Sequence, residues 1–198
     1  MGNKRSSMLF NLIAPVYGLF FHHQRKHFLE IVEQVSPILD LSEFDTVIDI
    51  GCGTGALCSV LSGKGLQVTG VDLAANMLAM AMKRPENRRV EFLQGNVLEG
   101  LPFVDKSFDI VISSHVAHGL KAGDRKRMYA EMRRLAKAHV IIHDYNERRS
   151  LLTSLVEWLE GGDYFNFIRE AEGEMKTCFS AVEVIQVSER ANWYICKP

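Results

Sequence analysis

Three groups of residues in this chain have types and spacing suited to chemistry. Gly51, Gly53 and Gly55 stand at alternate positions directly after the aliphatic run Thr46-Val47-Ile48-Asp49-Ile50. Glycines in such a turn let a small ligand approach the backbone, because no Cβ keeps it away, and a helix that follows adds the positive end of its dipole. Unpaired backbone N–H groups are expected to face that ligand. Asp72 is the second group, a carboxylate about 20 residues further on, where it can accept both hydroxyls of a ribose. As a plainer role, it can cap the turn that follows. The third group is His115 and His118 with Asp144 and Tyr145. Histidine titrates nearest neutrality, so either ring suits proton abstraction from a hydroxyl or an activated carbon, and either also suits capping of the next helix. Gly51, Gly53 and Ala56 satisfy G-x-G-x-x-G/A as well, which keeps a nicotinamide dinucleotide open as the ligand.

These residues need strands and turns to hold them. Residues 46–50 read as a buried strand, 56–61 as a helix stopped by Gly63 and Gly65, and 67–72 as a second strand that Asp72 closes. A methionine-rich helix over 75–83, with Met77, Met80 and Met82, reads as core packing. Strands follow at 90–93 and 108–113, then a helix over 123–137 and a fifth strand over 138–143, ending in Asp144-Tyr145-Asn146. In an open α/β sheet the carboxyl ends of such strands border one crevice, so the histidines and the glycine loop are expected to face the same ligand. Ahead of the first strand, Phe28, Ile31, Val32 and Val35 give residues 24–35 an amphipathic helical stripe, and two short helical pieces are expected over 8–23. After the fifth strand, Leu151, Leu152, Leu155, Val156 and Leu159 predict a helix ended by Gly161-Gly162. A mixed aromatic segment over 164–174 follows it. Two β-rich runs, 178–187 and 191–196, flank Ser188-Glu189-Arg190 and read as a hairpin.

Val47-Ile48-Asp49-Ile50-Gly51-Cys52-Gly53-Thr54-Gly55 resembles the first motif of the class I S-adenosylmethionine-dependent methyltransferases. The likeness continues through Val71-Asp72, Gly95-Asn96 and Phe108-Asp109-Ile110-Val111, and so covers residues 45–145. It implies an α/β, Rossmann-like doubly wound sheet, mostly parallel with an antiparallel C-terminal strand and helices on both faces. It implies S-adenosyl-L-methionine as cofactor and S-adenosyl-L-homocysteine as product. Asp49, Gly51, Cys52, Gly53 and Gly55 would then line the cofactor from the loop, with Asp72 on the ribose and Leu73 against the adenine. Asn96, followed by Val97, stands where the family more often has aspartate; its amide oxygen still accepts from the adenine amino group. Ser113 would border the site from the fourth strand. Ala14-Pro15-Val16-Tyr17 resembles a short A-x-x-Y segment of quinone-pathway methyltransferases, which gives Tyr17 a place on the cofactor or in ordinary core packing. The residues after the fourth strand, Ser113-Ser114-His115-Val116, lack the [D/N]-P-P-[Y/F] tetrad of enzymes that methylate base amines, so a small molecule is the expected acceptor. Among these residues His118, then His115 and Tyr145, are the candidate catalytic groups.

Composition narrows the class. The chain of 198 residues carries a formal net charge of −1, with 47% hydrophobic and 24% charged residues. These are values of a globular domain and argue against a nucleic-acid binder or stable membrane insertion. Four cysteines, Cys52, Cys58, Cys178 and Cys196, make no C-x-x-C pair and point to a reducing, cytoplasmic setting. His22, His23, His27, His115 and His118 have no neighbouring cysteine or carboxylate cluster in the sequence, so no metal is assigned. Met1-Gly2-Asn3-Lys4-Arg5-Ser6 matches a myristoylation pattern, which we read as accidental.

The resulting expectation is one methyltransferase domain over 1–198, with an N-terminal helical cap (1–40), a cofactor-binding core (41–147), a helical lid (148–177) and a C-terminal hairpin (178–198). A homodimer contact is the other reading of the lid segment. The expected activity is direct methyl transfer to a small, partly apolar acceptor. An NAD(P)-dependent oxidoreductase and a non-catalytic S-adenosylmethionine-binding protein are the competing classes, and the antiparallel C-terminal strand is the feature that speaks for the methyltransferase.

Overall fold

The computed structural model describes residues 18–148 and 163–198, which fall into two compact units, one ending at Asn96 and one beginning at Val97. In the first unit the order is α1 (Phe21–Val35), β1 (Thr46–Ile50), α2 (Ala56–Gly63), β2 (Gln67–Asp72), α3 (Ala75–Met82) and β3 (Glu91–Gln94). The second has β4 (Phe108–Ser114), α4 (Ala122–Leu135), β5 (Ala136–Tyr145), α5 (Tyr164–Cys178), β6 (Ala181–Gln186) and β7 (Ala191–Lys197). The strands make a seven-stranded sheet of order β3-β2-β1-β4-β5-β7-β6. Pairing is parallel for β1 with β2, β2 with β3 and β4 with β5. Strand β7 runs antiparallel to both β5 and β6. This is the Rossmann-like sheet the sequence implies, with its antiparallel strand at the C-terminal end.

The pattern of apolar residues explains the elements. In β1, Val47, Ile48 and Ile50 are at most 2% exposed, and a strand buried on both faces tolerates a run of β-branched and aliphatic residues without alternation. Each such side chain contributes about 1.5–3 kcal/mol by leaving water. Helix α4 buries Met128, Tyr129, Met132 and Leu135, a stripe at helical spacing. Strand β7 brings the fully buried Trp193 opposite His143.

Three sequence expectations change. Residues 164–178 are one regular helix rather than a mixed segment, because Phe167, Ile168, Ala171 and Met175 form a buried helical stripe that the aromatic cluster at its start and Gly173 within it obscured. Cys178 therefore ends a helix, and β6 begins at Ala181. Strand β5 runs from Ala136 through Asp144 and Tyr145, so these two are strand residues and α4 stops at Leu135. Tyr17, residues 8–17 of the two helical pieces expected over 8–23, and the helix expected over 151–159 lie outside the described residues.

Gly70 in β2 is required by packing: a Cβ there would lie 2.7 Å from the Phe92 ring and 3.0 Å from Cys52 Sγ. Gly70→Ala is expected to destabilise the protein by about 1–3 kcal/mol, the usual result of overpacking. Urea unfolding of the variant should show a lower midpoint at an unchanged slope.

Candidate active site

The glycine loop is held by the strand beside it. Gly51 N and Cys52 N both donate to Val71 O, at 2.7 and 3.0 Å, and Gly55 N donates to Cys52 O at 2.9 Å. Gly53 N donates to Asp72 Oδ2 at 2.8 Å. The loop's own contacts thus engage these four N–H groups, which corrects the expectation that they stand unpaired. What the loop offers a ligand is bare backbone. Gly53 has φ +54°, and a Cβ built on it would meet nothing within 4 Å, so this position is open and the strain of a left-handed conformation favours glycine. Gly55 has another reason. Its Cβ would sit 2.4 Å from Asn87 Nδ2 and 3.1 Å from Phe92, and that Asn87 amide donates to Thr54 O and Ala81 O.

Two carboxylates support the loop. Asp72 Oδ1 accepts from Ala74 N at 2.8 Å while Oδ2 holds Gly53 N. It thus caps the turn into α3 and fixes the loop at once. Burial raises its pKa, and the backbone N–H groups of Ala74, Gly53 and Leu73 oppose that rise. Asp49 is 1% exposed, and its Oδ2 accepts from Cys58 Sγ at 3.2 Å. Its Oδ1 has no hydrogen-bond partner among the described residues. Burial pushes the Asp49 pKa up to about 7, against the Cys58 hydrogen bond and with a further push from the Asp72 charge.

In the second unit the chemistry gathers at the ends of β4 and β5. His115 follows β4 with φ +54°, and its N–H donates to His143 O at 2.8 Å. His118 lies in a short 3-10 turn, Ala117–Gly119. Its Nδ1 is 2.7 Å from Asp144 Oδ1, and its backbone N donates to Asp144 Oδ2 at 3.2 Å. His115 Nδ1 stands 3.8 Å from the same Oδ1. Asp144 is wholly buried. Burial would raise its pKa, but His118 beside it, their hydrogen bond, His115 and the Tyr145 N–H outweigh that and bring it down to about 2. An ionised Asp144 places the proton of the 2.7 Å contact on His118 Nδ1, which makes Nε2 the basic nitrogen. Rings surround the pair: Tyr145 lies 4.8 Å from His118, and Tyr164 and Phe167 each 6.5 Å, all edge-on.

The structure therefore joins Gly53 to Asp72 in one unit, and His115, His118, Asp144 and Tyr145 in the other. Leu73, Asn96 and Val97 are half-buried, while Cys52 and Ser113 are buried; the Ser113 Oγ has no hydrogen-bond partner among the described residues. His115, His118 and Asp144 offer donor atoms within 4.8 Å of one another, a carboxylate association that the linear sequence did not show; their shortest contact has hydrogen-bond geometry, and we assign no ion. Sequence reasoning missed Asn87 and His143, whose Nδ1 lies 2.9 Å from Ser114 Oγ. Tyr164 and Phe167 were legible as aromatics of the expected lid, but not as neighbours of His118.

A Rossmann-like sheet with an antiparallel β7, a glycine loop after β1 and a carboxylate ending β2 defines a nucleoside-binding α/β domain. Residues 47–139 match the family model described as a methyltransferase domain. Together the motif, the sheet and this match make residues 47–139 similar to the class I S-adenosylmethionine-dependent methyltransferases. It is 33% identical to the demethylmenaquinone methyltransferase of Thermotoga maritima over 68% of this chain and 58% of that protein. It is 31% identical to the chloroplastic 2-phytyl-1,4-beta-naphthoquinone methyltransferase of Arabidopsis thaliana over 77% of this chain and 62% of that protein. The chain thus spans less than two thirds of the length of these relatives. Among solved structures, the DhpI–S-adenosylhomocysteine complex superposes with a TM-score of 0.72 at 18% identity, covering 99% of this chain and 96% of that one, a likeness of fold. The open face at Gly53 and the Asp72 carboxylate fit the family's cofactor; Gly53, Asp72, Leu73 and Asn96 are the residues that would hold it.

Asp72→Ala is expected to weaken S-adenosylmethionine binding by about 1.5–3 kcal/mol, the worth of a hydrogen bond to a charged group, measured by calorimetry. It should also lower the melting temperature, since Gly53 N and Ala74 N lose their acceptor. Asp49 gives a pH test. Its folded pKa lies above the unfolded value of 3.8, so between the two the folded state holds the extra proton. The stability this carries is full below about 4 and is lost as pH rises through about 7. Melting curves at pH 5 and pH 8 should show parent protein losing stability relative to Asp49→Asn at the higher pH.

Proposed function

We propose that the protein transfers the methyl group of S-adenosylmethionine to a small, partly apolar acceptor in the cytoplasm, with His118 as base where the accepting group carries a proton. The buried His118–Asp144 pair, 2.7 Å apart within a wall of aromatic rings, is the observation that carries this reading. The cofactor supplies a sulfonium methyl for direct displacement. The chain's own work is to orient and to move a proton. Asp144 fixes the imidazole through both Nδ1 and the backbone N–H of residue 118, and its negative charge favours the imidazolium that forms when Nε2 takes a proton. Tyr145, Tyr164 and Phe167 present apolar faces that exclude water and suit a planar ring. The relatives named for demethylmenaquinone and phytyl-naphthoquinone support a hydroquinone-like acceptor, whose hydroxyl needs such a base. Neither comparison favours a nicotinamide-dependent or a purely binding protein.

With reduced 1,4-naphthoquinone as the probe acceptor, His118→Gln is expected to lower kcat/KM by about 10²–10⁴-fold, the range of general-base catalysis, and to remove the acidic limb of the pH–rate profile. Calorimetry should show unchanged cofactor affinity. A rate and profile equal to the parent's would leave pure proximity catalysis with no base.

A further inference from the structure

Arg125 carries a charge where the fold has none to spare room for. Its side chain is 0% exposed, although it sits in the buried stripe of α4 among Met128, Tyr129 and Met132. Among the described residues its side-chain hydrogen bonds lead to the elements around His118. Nε and Nη2 donate to Glu174 Oε2 and Oε1, each at 2.7 Å, a two-pronged pairing with α5. Nη1 donates to Asp163 Oδ2 at 2.8 Å, immediately before α5 begins, and to Leu120 O at 2.6 Å. Leu120 closes the 3-10 turn that carries His118, its N–H donating to Ala117 O at 3.0 Å. The guanidinium carbon also lies 5.7 Å from the centroid of the Phe167 ring.

One planar cation therefore ties the turn that bears His118 to the helix that bears Tyr164 and Phe167. A buried ion cluster of this kind is a poor stabiliser, since apolar side chains of the same volume often serve as well. What the guanidinium supplies is fixed geometry: its donors lie in one plane at set angles, which a lysine ammonium cannot reproduce. We infer that Arg125 is a positioning residue, holding the His118 turn and the first three turns of α5 in one register so that the imidazole and its aromatic wall keep their mutual placement. This rests on the reading of His118 as the base, and its effect on rate runs through His118 alone.

The test uses the full chain labelled with ¹⁵N-histidine. Long-range proton–nitrogen correlation spectra report the tautomer of His118, assigned by its loss in His118→Gln. In the parent, His118 should be a single Nδ1–H tautomer. In Arg125→Lys, which keeps the charge and loses the planar pairing, that signal should shift or split into a tautomer mixture, and kcat/KM should fall about 100-fold, as misplacement by an ångström can cause. Cofactor affinity by calorimetry should stay within about twofold, the first unit being untouched. Asp163→Asn and Glu174→Gln, each removing one partner, should move the same signal in the same sense, and they carry the test should Arg125→Lys not fold. A His118 signal identical to the parent's in folded variants, with only the melting temperature lowered, overturns the inference. A moved signal together with a fully active His118→Gln would keep Arg125 as the positioning residue and remove the base role instead.

Discussion

A carboxylate at the end of a parallel strand, accepting hydrogen bonds from the turn beside it, is the interaction on which both halves of this protein depend. Asp72 ends β2 and takes the N–H groups of Gly53 and Ala74. Asp144, near the end of β5, takes those of His118 and Tyr145 together with the His118 ring. The physical demand is the same in each case. A turn with irregular dihedrals cannot pair its N–H groups in a sheet or helix, and a buried N–H without an acceptor is costly. A carboxylate meets two or three donors at once with its two oxygens and thereby fixes the turn's shape.

That shared device gives different results because of what each turn presents. The loop after β1 presents nothing: its N–H groups at 51, 52, 53 and 55 are engaged, and its outer face at Gly53 is bare backbone. A ligand gains close approach there. On the other side of the loop, Gly55 is needed for Asn87 and Phe92 to pack, so two glycines of one motif answer to opposite requirements, open space and crowding. Asp49, sealed beneath with Cys58 as its thiol donor, is buried so completely that its proton affinity approaches neutrality.

The turn after β4 presents side chains instead. Only His118 reaches hydrogen-bond distance of Asp144 Oδ1, at 2.7 Å against 3.8 Å for His115; His118 sits in the 3-10 turn Ala117–Gly119, His115 has a positive φ, and the two rings stand 6.2 Å apart. His115 is exposed, whereas His118 is buried beside rings from β5 and α5, and low local polarity there strengthens the His118–Asp144 contact. Arg125 brings α5 to that place through two acidic partners that flank its aromatic start.

By itself the sequence determined the strand, the glycine loop and the carboxylate that follows it. A run such as Val47-Ile48-Asp49-Ile50 before Gly51-Cys52-Gly53 leaves few local alternatives, and spacing alone put Asp72 near the loop. It also showed the C-terminal hairpin and hence the antiparallel strand that separates this family from nicotinamide-binding domains. His118 was legible as a candidate but not as a choice, because its partner lies 26 residues away and no local pattern ties the two. Tertiary structure decided that pairing, and it decided that the loop's N–H groups close on β2. It also turned residues 164–178 into a helix whose aromatic face meets His118. The reason is common to all three: each depends on a contact across the sheet or between elements, and hydrophobic periodicity reports which face of an element is buried without reporting what it is buried against.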